Sequence, residues 1–379
     1  MSTSDCRRDN LGFLFPGRLT IARQRRGLTK TALAAEVGVT PRTITRYETD
    51  GAPLDMAPQL SAALGFPTRY FERPMPEALA ADAVAFRAGQ RVSARARHAA
   101  AATGTHGVEL ERWVRERFSV PSPDVPRLDY DSPEDAALTL RTLWGLGTGP
   151  LPNLVQLAES HGIAVLGLPP IAGEVDAFST WVGRQPYIFL ARRRTPEGVR
   201  FDVAHEIGHL AMHSSRQSNE PQDEDEANRF ASEFLMPSET VRQYLPRNAA
   251  VPDLLRVKKY FGTSAQAMAR KAKTTGLQSE WTARMNQVEL DKLGYRKAEP
   301  DGMAAYERSR VFDFIFSSER STQYTPRGIA QELALPDEEV HALTLNSVMV
   351  GTLSAGGGVP AVPDAATGSG TTPRLRVVK

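Results

Sequence analysis

The segment from 203 to 210, Val-Ala-His-Glu-Ile-Gly-His-Leu, constrains this chain more than any other stretch. On a helix, His205 and His209 lie one turn apart on the same face, so both imidazoles can reach one metal ion. Glu206 lies beside them and can hold and deprotonate a water at that ion. Apolar residues on both sides of the motif predict a buried helix. The alternative is a helix that carries two histidines by chance.

Composition restricts which residues can hold a metal. The single cysteine, Cys6, excludes a disulfide framework and a cysteine-rich zinc site, so histidines and carboxylates must supply the ligands. Forty-six Lys and Arg against 44 Asp and Glu leave a net charge of +2, so any nucleic-acid surface must be local. No apolar run approaches the roughly 20 residues of a membrane span, and the N-terminus lacks the apolar core of a signal peptide. We therefore expect a soluble cytoplasmic protein without a membrane partner.

A catalytic zinc ion takes three protein ligands and keeps one position open. The acidic stretch that follows the motif begins a helix on which Glu224 and Asn228 share a ridge that can face the first helix. His213 continues the ridge of the two histidines, but a straight helix carries it about 6 Å beyond His209. We therefore interpret His213 as a residue that supports the ligands or packs near them. Asp223 and Asp225 are expected to favour the helix dipole.

Residues 133 to 237 resemble the ImmA/IrrE family of metallopeptidases. The matching features are the histidine motif, the Glu224/Asn228 pair and the closing Phe-Ala and Leu-Met-Pro of residues 230 to 237. The resemblance implies that His205, His209 and Glu224 bind the metal, which would be zinc, with manganese possible, and that Glu206 is the catalytic base. Glu226 is the alternative third ligand.

The resemblance also implies strands beside the substrate cleft, at 176–181 and 186–188. In such enzymes an edge strand pairs with the backbone of a protein substrate. Trp181 and Tyr187 are candidates for the cleft, together with Asn228 and His213, which could support the ligands. Tyr187 and His213 are also candidates for stabilising the oxyanion. Core packing is the alternative for the aromatic residues of these strands.

Residues 27 to 48 have the pattern of two short helices joined by a tight turn. Gly38 permits the turn because glycine adopts left-handed dihedral angles at little cost. Thr40 can cap the second helix, and Pro41 suits its first turn. Apolar residues would face the core: Leu33, Ala34, Val37, Ile44 and Tyr47. The second helix then presents small polar and arginine side chains outward, as a helix that reads the major groove requires.

About the first 70 residues resemble the lambda-repressor/Cro-type (XRE) helix-turn-helix family, with its motifs at Leu28–Val39 and Ile44–Glu48. The resemblance implies binding to a double-stranded DNA operator, usually as a homodimer. The predicted DNA contacts are Lys30, Thr40, Arg42, Thr43, Thr45 and Arg46. The family usually has Gln where this chain has Lys30, but a lysine can also contact a phosphate. Arg18, Arg23, Arg25 and Arg26 add charge suited to phosphates. The alternative is a small helical packing module.

The expected fold class is α+β and mainly helical. We predict a five-helix helix-turn-helix domain at 1–75, a helical linker at 76–126 and a metallopeptidase domain with a small mixed or antiparallel sheet at 127–245. A helical, helix-turn-helix-like extension at 246–300, a helical C-terminal region at 301–353 and a disordered tail at 354–379 complete the chain. The extension carries many basic residues, which could contact DNA or form a solvated face.

Two functions from different classes fit these parts. The first is a transcriptional regulator whose metal-dependent endopeptidase domain cleaves a repressor, itself a helix-turn-helix protein, in a stress response. The second is a repressor or antitoxin-like regulator that does not cleave protein and whose metal domain senses a ligand. The intact motif, with Glu206 present, favours the first hypothesis.

Overall fold

The computed structural model describes residues 12–79, 93–128, 132–169, 175–192, 194–213, 221–295, 298–320, 322–347 and 376–377. Helices dominate these residues, and a three-stranded sheet and a short strand pair accompany them. The mainly helical α+β class is therefore confirmed.

The N-terminal region forms five α-helices, as expected, and one 3-10 turn at Leu54–Met56. The helices are α1 (Pro16–Arg25), α2 (Lys30–Glu36), α3 (Pro41–Asp50), α4 (Ala57–Leu64) and α5 (Thr68–Phe71). Gly38 has a φ of 67° in the turn between α2 and α3, and the Thr40 hydroxyl accepts a hydrogen bond from the Thr43 amide at 3.1 Å. Ile44 and Tyr47 are buried, so α3 packs on the expected face.

The helix α6 (Ala94–Arg117) is the longest described element, and most of its residues are buried. It packs against α1 and against one face of the three-stranded sheet. A Cβ atom added at Gly107 would stand 2.5 Å from the Phe189 ring, so the helix approaches the sheet closely at this point. Residues 94–117, which belong to the stretch 76–126 expected to be a helical linker, thus form a largely buried helix. Residues 80–92 of that stretch lie outside the described residues.

The three-stranded sheet is mixed, with strand order β2-β4-β3. Its strands are β2 (Ala164–Gly167), β3 (Ala177–Val182) and β4 (Gln185–Leu190); the pair Phe118–Ser119 is numbered β1. The strands β3 and β4, close to the two strands expected there, form an antiparallel hairpin with Thr180 opposite Tyr187 and Ser179 opposite Ile188. Because side chains alternate along a strand, Ser179 and Ile188 point to one face and Tyr187 to the other.

Eight of the described helices lie on the side of the sheet opposite α6: α7 (Pro133–Leu143), α8 (Leu154–Ser160), α9 (Pro196–Met212), α10 (Pro221–Leu235), α11 (Ser238–Tyr244), α12 (Val251–Phe261), α13 (Ala265–Thr274) and α14 (Glu280–Lys292). Of these, α8 contacts β2, and α9 contacts β3 and β4. The apolar residues of the eight helices form one core, and the other face of the sheet joins α6 and the N-terminal helices in a second core. The sheet therefore separates two hydrophobic cores.

The described C-terminal helices are α15 (Arg310–Ile315), α16 (Pro326–Leu333) and α17 (Asp337–Leu343). They pack with α6 and the N-terminal helices in the second core. Most of the tail expected to be disordered lies outside the described residues. Its two described residues, Arg376 and Val377, form strand β5, which pairs antiparallel with β1.

The basic residues of α12 and α13 are not all on a solvated face. Lys258 and Lys271 are buried and form ion pairs with Glu299 and Glu233. These two lysines are therefore not available for DNA. None of the helices in the described ranges is both long enough and apolar enough to cross a membrane.

Candidate metal centre and nucleic-acid interface

Two packed helices, α9 and α10, position the metal-site candidates. Thr195 caps α9 by accepting a hydrogen bond from the Gly198 amide, and Pro196 occupies its first turn. The motif His205 to His209 lies in the buried second half of this helix, under the sheet. Glu224 lies in the first turn of α10 and is also buried. The two helices therefore bring a carboxylate from one against two imidazoles from the other.

The Nε2 atoms of His205 and His209 lie close to each other and to the carboxylate oxygens of Glu224. The Nε2 atoms of His205 and His209 are 3.0 Å apart. Glu224 Oε2 lies 3.4 Å from Nε2 of His205, and its Oε1 lies 3.3 Å from Nε2 of His209. Glu226, the alternative ligand, is not part of this group. The structure thus brings together the three residues that the sequence suggests as ligands.

These three residues fit a zinc-type ion. Ligand atoms placed tetrahedrally around zinc at about 2.0–2.1 Å stand about 3.3 Å from one another. The contact between the two histidines (3.0 Å) and the contact of each histidine with one Glu224 oxygen (3.3 and 3.4 Å) are close to that length. Glu224 Oε2 is buried and has no hydrogen-bond partner among the described residues. A buried carboxylate oxygen without a donor is costly unless a cation compensates it. Two histidines and one carboxylate are a common catalytic zinc donor set.

The group holds opposite charges close together. Burial raises the pKa of the Glu224 carboxyl, but its close contacts with His205 and His209 and their charges outweigh it and hold that pKa well below its usual range. Burial lowers the pKa of His209, yet its contact with Glu224 and the charge of Glu206 raise it above its ordinary value. The site therefore favours a carboxylate beside cationic partners.

Glu206 lies next to the group and is held by a residue of the neighbouring strand. The Ser179 hydroxyl of β3 donates a hydrogen bond of 2.6 Å to Glu206 Oε2. Burial raises the pKa of Glu206 to about 7, although His209 and Ser179 act in the opposite direction. A carboxylate with a pKa near the operating pH is well suited to act as a general base. The sequence predicts a strand at Ser179, but no local pattern indicates this contact.

His213 contacts one of the three candidate ligands, His209, and is not part of their group. Its Nδ1 lies 2.9 Å from His209 Nδ1, and its Nε2 lies 3.0 Å from Glu226 Oε2. Asp223, expected to act only on the helix dipole, is buried and lies 3.8 Å from the same Nε2 atom. Since both ring nitrogens of His213 are engaged, it is not a free donor for an oxyanion. Asn228 donates a hydrogen bond to the Glu224 carbonyl oxygen at 2.7 Å.

The two aromatic candidates lie in different places. Trp181 is half-buried and donates from Nε1 to the Leu210 carbonyl oxygen at 3.3 Å, so it faces the motif helix. Tyr187 is buried on the opposite face of the sheet, where its hydroxyl donates to Glu111 of α6 at 3.1 Å. The expectation that Tyr187 lines the cleft or stabilises an oxyanion is therefore wrong, because strand alternation directs its side chain to the other core.

The helix α3 presents a polar surface outside the N-terminal core. Arg42, Thr45 and Arg46 are exposed, as is Thr40, and Thr43 is half-buried. The Thr40 and Thr43 hydroxyl groups are 2.9 Å apart and are used in the helix cap. These side chains remain exposed when all described residues are present, so the other described helices do not cover this surface of α3.

The basic residues beside α3 are mostly paired. Lys30 forms an ion pair of 3.2 Å with Glu48, which also binds Arg23, although the Lys30 side chain is 41% exposed. Arg18 and Arg25 are buried and bind Glu109 and Glu339. The expectation that Arg18 and Arg25 contact phosphates is therefore wrong, because both face the interior. The sequence around Arg18 and Arg25 does not distinguish these two residues from exposed arginines.

Two family models match the chain. Residues 19–71 match the helix-turn-helix family HTH_3, which spans α1 to α5. Residues 158–273 match the IrrE N-terminal-like domain of peptidase family M78, so this match runs from α8 through α13 and beyond the boundary expected at 245. No curated protein matches the chain. The matches agree with both resemblances, and the chain joins an XRE-type helix-turn-helix domain to an IrrE N-terminal-like domain of the M78 peptidases.

Proposed function

We propose that this chain is a DNA-binding transcriptional regulator and a metal-dependent endopeptidase that cleaves a helix-turn-helix repressor in a stress response. The observation that carries the proposal is the convergence of His205, His209 and Glu224 beside Glu206 and the strand β3. The family matches support a regulator with a peptidase-type domain. We expect it to act in the cytoplasm as a homodimer on a two-fold operator.

His205, His209 and Glu224 would hold the ion, which we expect to be zinc or manganese. When bound, such an ion supplies Lewis acidity that polarises the scissile carbonyl group. Glu206 takes the proton of the attacking water and returns it to the leaving amine. The Ser179 hydroxyl holds one oxygen of Glu206 and thereby fixes the direction of the carboxylate.

The strand β3 gives the proposed substrate a place to bind. In the described sheet β3 has one neighbour, β4, so its other edge can pair with an extended peptide. Ser179 of β3 contacts Glu206, so a peptide on this edge would lie close to the base. A protein substrate must then present an extended segment, which favours a loop or a locally unfolded stretch of the repressor.

Cleavage by the full chain tests the proposal. The chain is incubated with ZnCl2 or MnCl2 and with helix-turn-helix repressors encoded near its own gene, and the products are separated on a gel. We expect cleavage by the wild type and a loss of about 10²–10⁴-fold in Glu206→Gln, which lacks the base. Asp225→Asn is the matched control, because Asp225 is an exposed carboxylate of α10.

The opposite result would identify the other function. If no repressor is cleaved, and if DNA binding nevertheless depends on the metal, the chain is a regulator that senses through its metal domain without proteolysis. The Glu206→Gln variant would then bind DNA as the wild type does.

A further inference from the structure

A chain of side chains leads away from the proposed ligand His209. His209 Nδ1 lies 2.9 Å from Nδ1 of His213. His213 Nε2 lies 3.0 Å from Glu226 Oε2 and 3.8 Å from Asp223. Glu226 is held in turn, since its Oε1 accepts a hydrogen bond of 2.9 Å from Gln222. His213 and Asp223 are buried and Glu226 is half-buried.

The contact between the His209 and His213 rings restricts which nitrogen of each ring can carry the proton. A contact between two ring nitrogens is a hydrogen bond only if one nitrogen carries a proton and the other does not. When a neutral His209 binds a metal through Nε2, its proton must be on Nδ1, so Nδ1 donates to His213. His213 Nδ1 is then the acceptor, and the proton of His213 must be on Nε2, where it can be donated to Glu226.

We propose that His213 and Glu226 form a relay, with the Asp223 carboxylate as a nearby charge, that fixes the orientation and the tautomer of His209 and thereby strengthens metal binding. The inference rests on the metal centre of the proposed function and adds positioning residues to it. Hydrogen bonds from a ligand histidine to a carboxylate or another acceptor generally orient the ring and raise its basicity. Here the carboxylates act through a second imidazole.

The same three residues could in principle hold an ion of their own, because their donor atoms lie within 4.8 Å of one another. The proton arrangement argues against it. An ion on His213 Nε2 would place the His213 proton on Nδ1, which would donate to His209 Nδ1. The proton of a neutral His209 would then be on Nε2, where the first ion binds. Two ions cannot share these two neutral imidazoles, so the relay and the second site exclude each other.

Zinc affinity of the full chain tests the relay. The dissociation constant for Zn²⁺ is measured by competition with a chromogenic chelator, and the number of ions per chain by elemental analysis after dialysis. We expect one ion per chain in the wild type. His213→Gln and Glu226→Ala should weaken binding by about 10–100-fold, and Glu226→Gln by less because its amide oxygen can still accept the proton of His213.

The matched control is Asp225→Asn, which removes the same charge from the next residue of α10. Asp225 points to solvent, with 71% of its side chain exposed, and its ion pair is with Arg229 at 3.9 Å. This variant should bind Zn²⁺ as the wild type does. Circular dichroism checks the folding of each variant. If His213→Gln does not fold, the comparison of the half-buried Glu226 with Asp225 decides the question.

Nitrogen NMR of the zinc-loaded chain gives a readout that a purely structural role would not move. The chain has seven histidines, so selective labelling and single variants can assign their rings. We expect the proton of His209 on Nδ1 and that of His213 on Nε2. The opposite tautomer of His213 would overturn the relay.

The affinity outcomes are separable. Equal affinities in the Glu226→Ala, His213→Gln and Asp225→Asn variants would overturn the relay and leave the metal centre intact. Two ions per chain, one of them lost in His213→Gln, would replace the relay by a second metal site. A wild-type chain that binds no Zn²⁺ would overturn the proposed centre and the relay with it.

Discussion

The orientation and the pKa of the Glu206 carboxyl group depend on a contact between residues that are far apart in sequence. Glu206 is on the motif helix α9, and Ser179, which donates to it at 2.6 Å, is on strand β3. A hydrogen bond to the charged form of a carboxyl group favours that form. Ser179 therefore opposes the burial that raises the pKa of Glu206 to about 7. It also holds the carboxylate in one direction while leaving it ionisable near neutral pH.

Replacing Ser179 by Ala tests this contact. Without the hydroxyl, the Glu206 carboxylate loses a donor to its charged form, so its pKa should rise further. We expect kcat to fall about tenfold and the acidic limb of the pH–rate profile to move to higher pH, with zinc content unchanged. The measurement is the rate of repressor cleavage against pH.

Thr180→Val is the matched control for that variant. It removes a hydroxyl group from the adjacent residue, whose side chain points to the opposite face of the sheet. Its pH–rate profile should match that of the wild type. An unchanged profile in Ser179→Ala would show that the serine does not tune the base.

At the residue scale, sequence reasoning succeeds where the spacing is local. His205, Glu206 and His209 lie within five residues, so the helical repeat alone places them on adjoining positions. The pairing of Glu224 with them was inferred through a family resemblance. The contacts of Ser179 and Asp223 depend on how a strand and a second helix pack on α9, which no local pattern specifies.

Among the elements, α3 is the helix predicted to contact DNA. Its apolar residues Ile44 and Tyr47 are buried, while Arg42, Thr45 and Arg46 remain exposed although the rest of the chain packs around α1. The nearby cations are mostly bound to carboxylates. Two exposed arginines of this region, Arg42 and Arg46, therefore lie together on one short helix.

Arg42→Ala combined with Arg46→Ala should abolish specific DNA binding. The two changes remove the exposed arginines of α3 without touching its buried face, so the fold should persist. Nonspecific binding should also weaken, with a salt slope reduced by about one for each lost phosphate contact. The measurement is fluorescence anisotropy with genomic fragments selected by the wild type, at several salt concentrations.

A double variant at Arg184 and Arg242 controls for the loss of charge. Both arginines are exposed; Arg184 lies in the turn between β3 and β4 and Arg242 lies on α11, and neither belongs to the predicted DNA contacts or to the basic extension. Their replacement by Ala should leave the affinity for the selected fragments unchanged. If both double variants bind with the same affinity and salt slope, α3 is not the DNA-binding element.

At the element scale, most helices and the hairpin could be predicted because their signals are periodic or lie in turns. Gly183 between β3 and β4, and Gly262 between α12 and α13, both have positive φ values, and a glycine between two periodic segments is a turn signal readable from sequence. The position of α6 could not be predicted. Its alanine- and arginine-rich sequence resembles an exposed linker helix, and only the packing of the N-terminal helices and the sheet against it causes its burial.

At the scale of the whole molecule, buried polar groups connect the helix-turn-helix domain to the rest of the chain. Arg25 of α1 forms an ion pair of 2.6 Å with Glu339 of α17. Glu339 Oε1 also lies 2.9 Å from Nδ1 of His106 on α6. The other ring nitrogen of His106 lies 2.9 Å from the Tyr70 hydroxyl. Arg18 lies over the Tyr70 ring and binds Glu109.

This network joins residues from distant parts of the sequence. Arg25 and Glu339 are separated by 314 positions, so no sequence pattern reveals that they meet. In sequence alone the arginines of α1 are suited to DNA phosphates, and their true partners appear only in the tertiary structure. The network therefore fixes the DNA-binding domain on α6, whose other side packs against the sheet of the peptidase-type domain.

The stability of this arrangement should depend on the ionisation of Glu339. Burial alone would raise the pKa of Glu339, but Arg25 and His106 outweigh it and hold that pKa at about 2, below the ordinary value of 4.5. A depressed pKa means that the unfolded chain takes up the proton first as the pH falls. The stabilisation by Glu339 is therefore complete above about pH 4.5 and is lost progressively as the pH falls toward 2.

Glu339→Gln should lower the free energy of unfolding by about 3 kcal/mol at neutral pH, because it leaves Arg25 buried without a counter-charge. Glu338→Gln is the matched control, since Glu338 is 62% exposed and its pair with Arg26 contributes at most about 1 kcal/mol. Denaturant unfolding is measured from pH 7 to pH 3. The difference between wild type and Glu339→Gln should shrink below about pH 4.5, whereas the difference for Glu338→Gln should stay small throughout. Equal effects of the two variants at neutral pH would mean that the buried pair does not hold the DNA-binding domain to the rest of the chain.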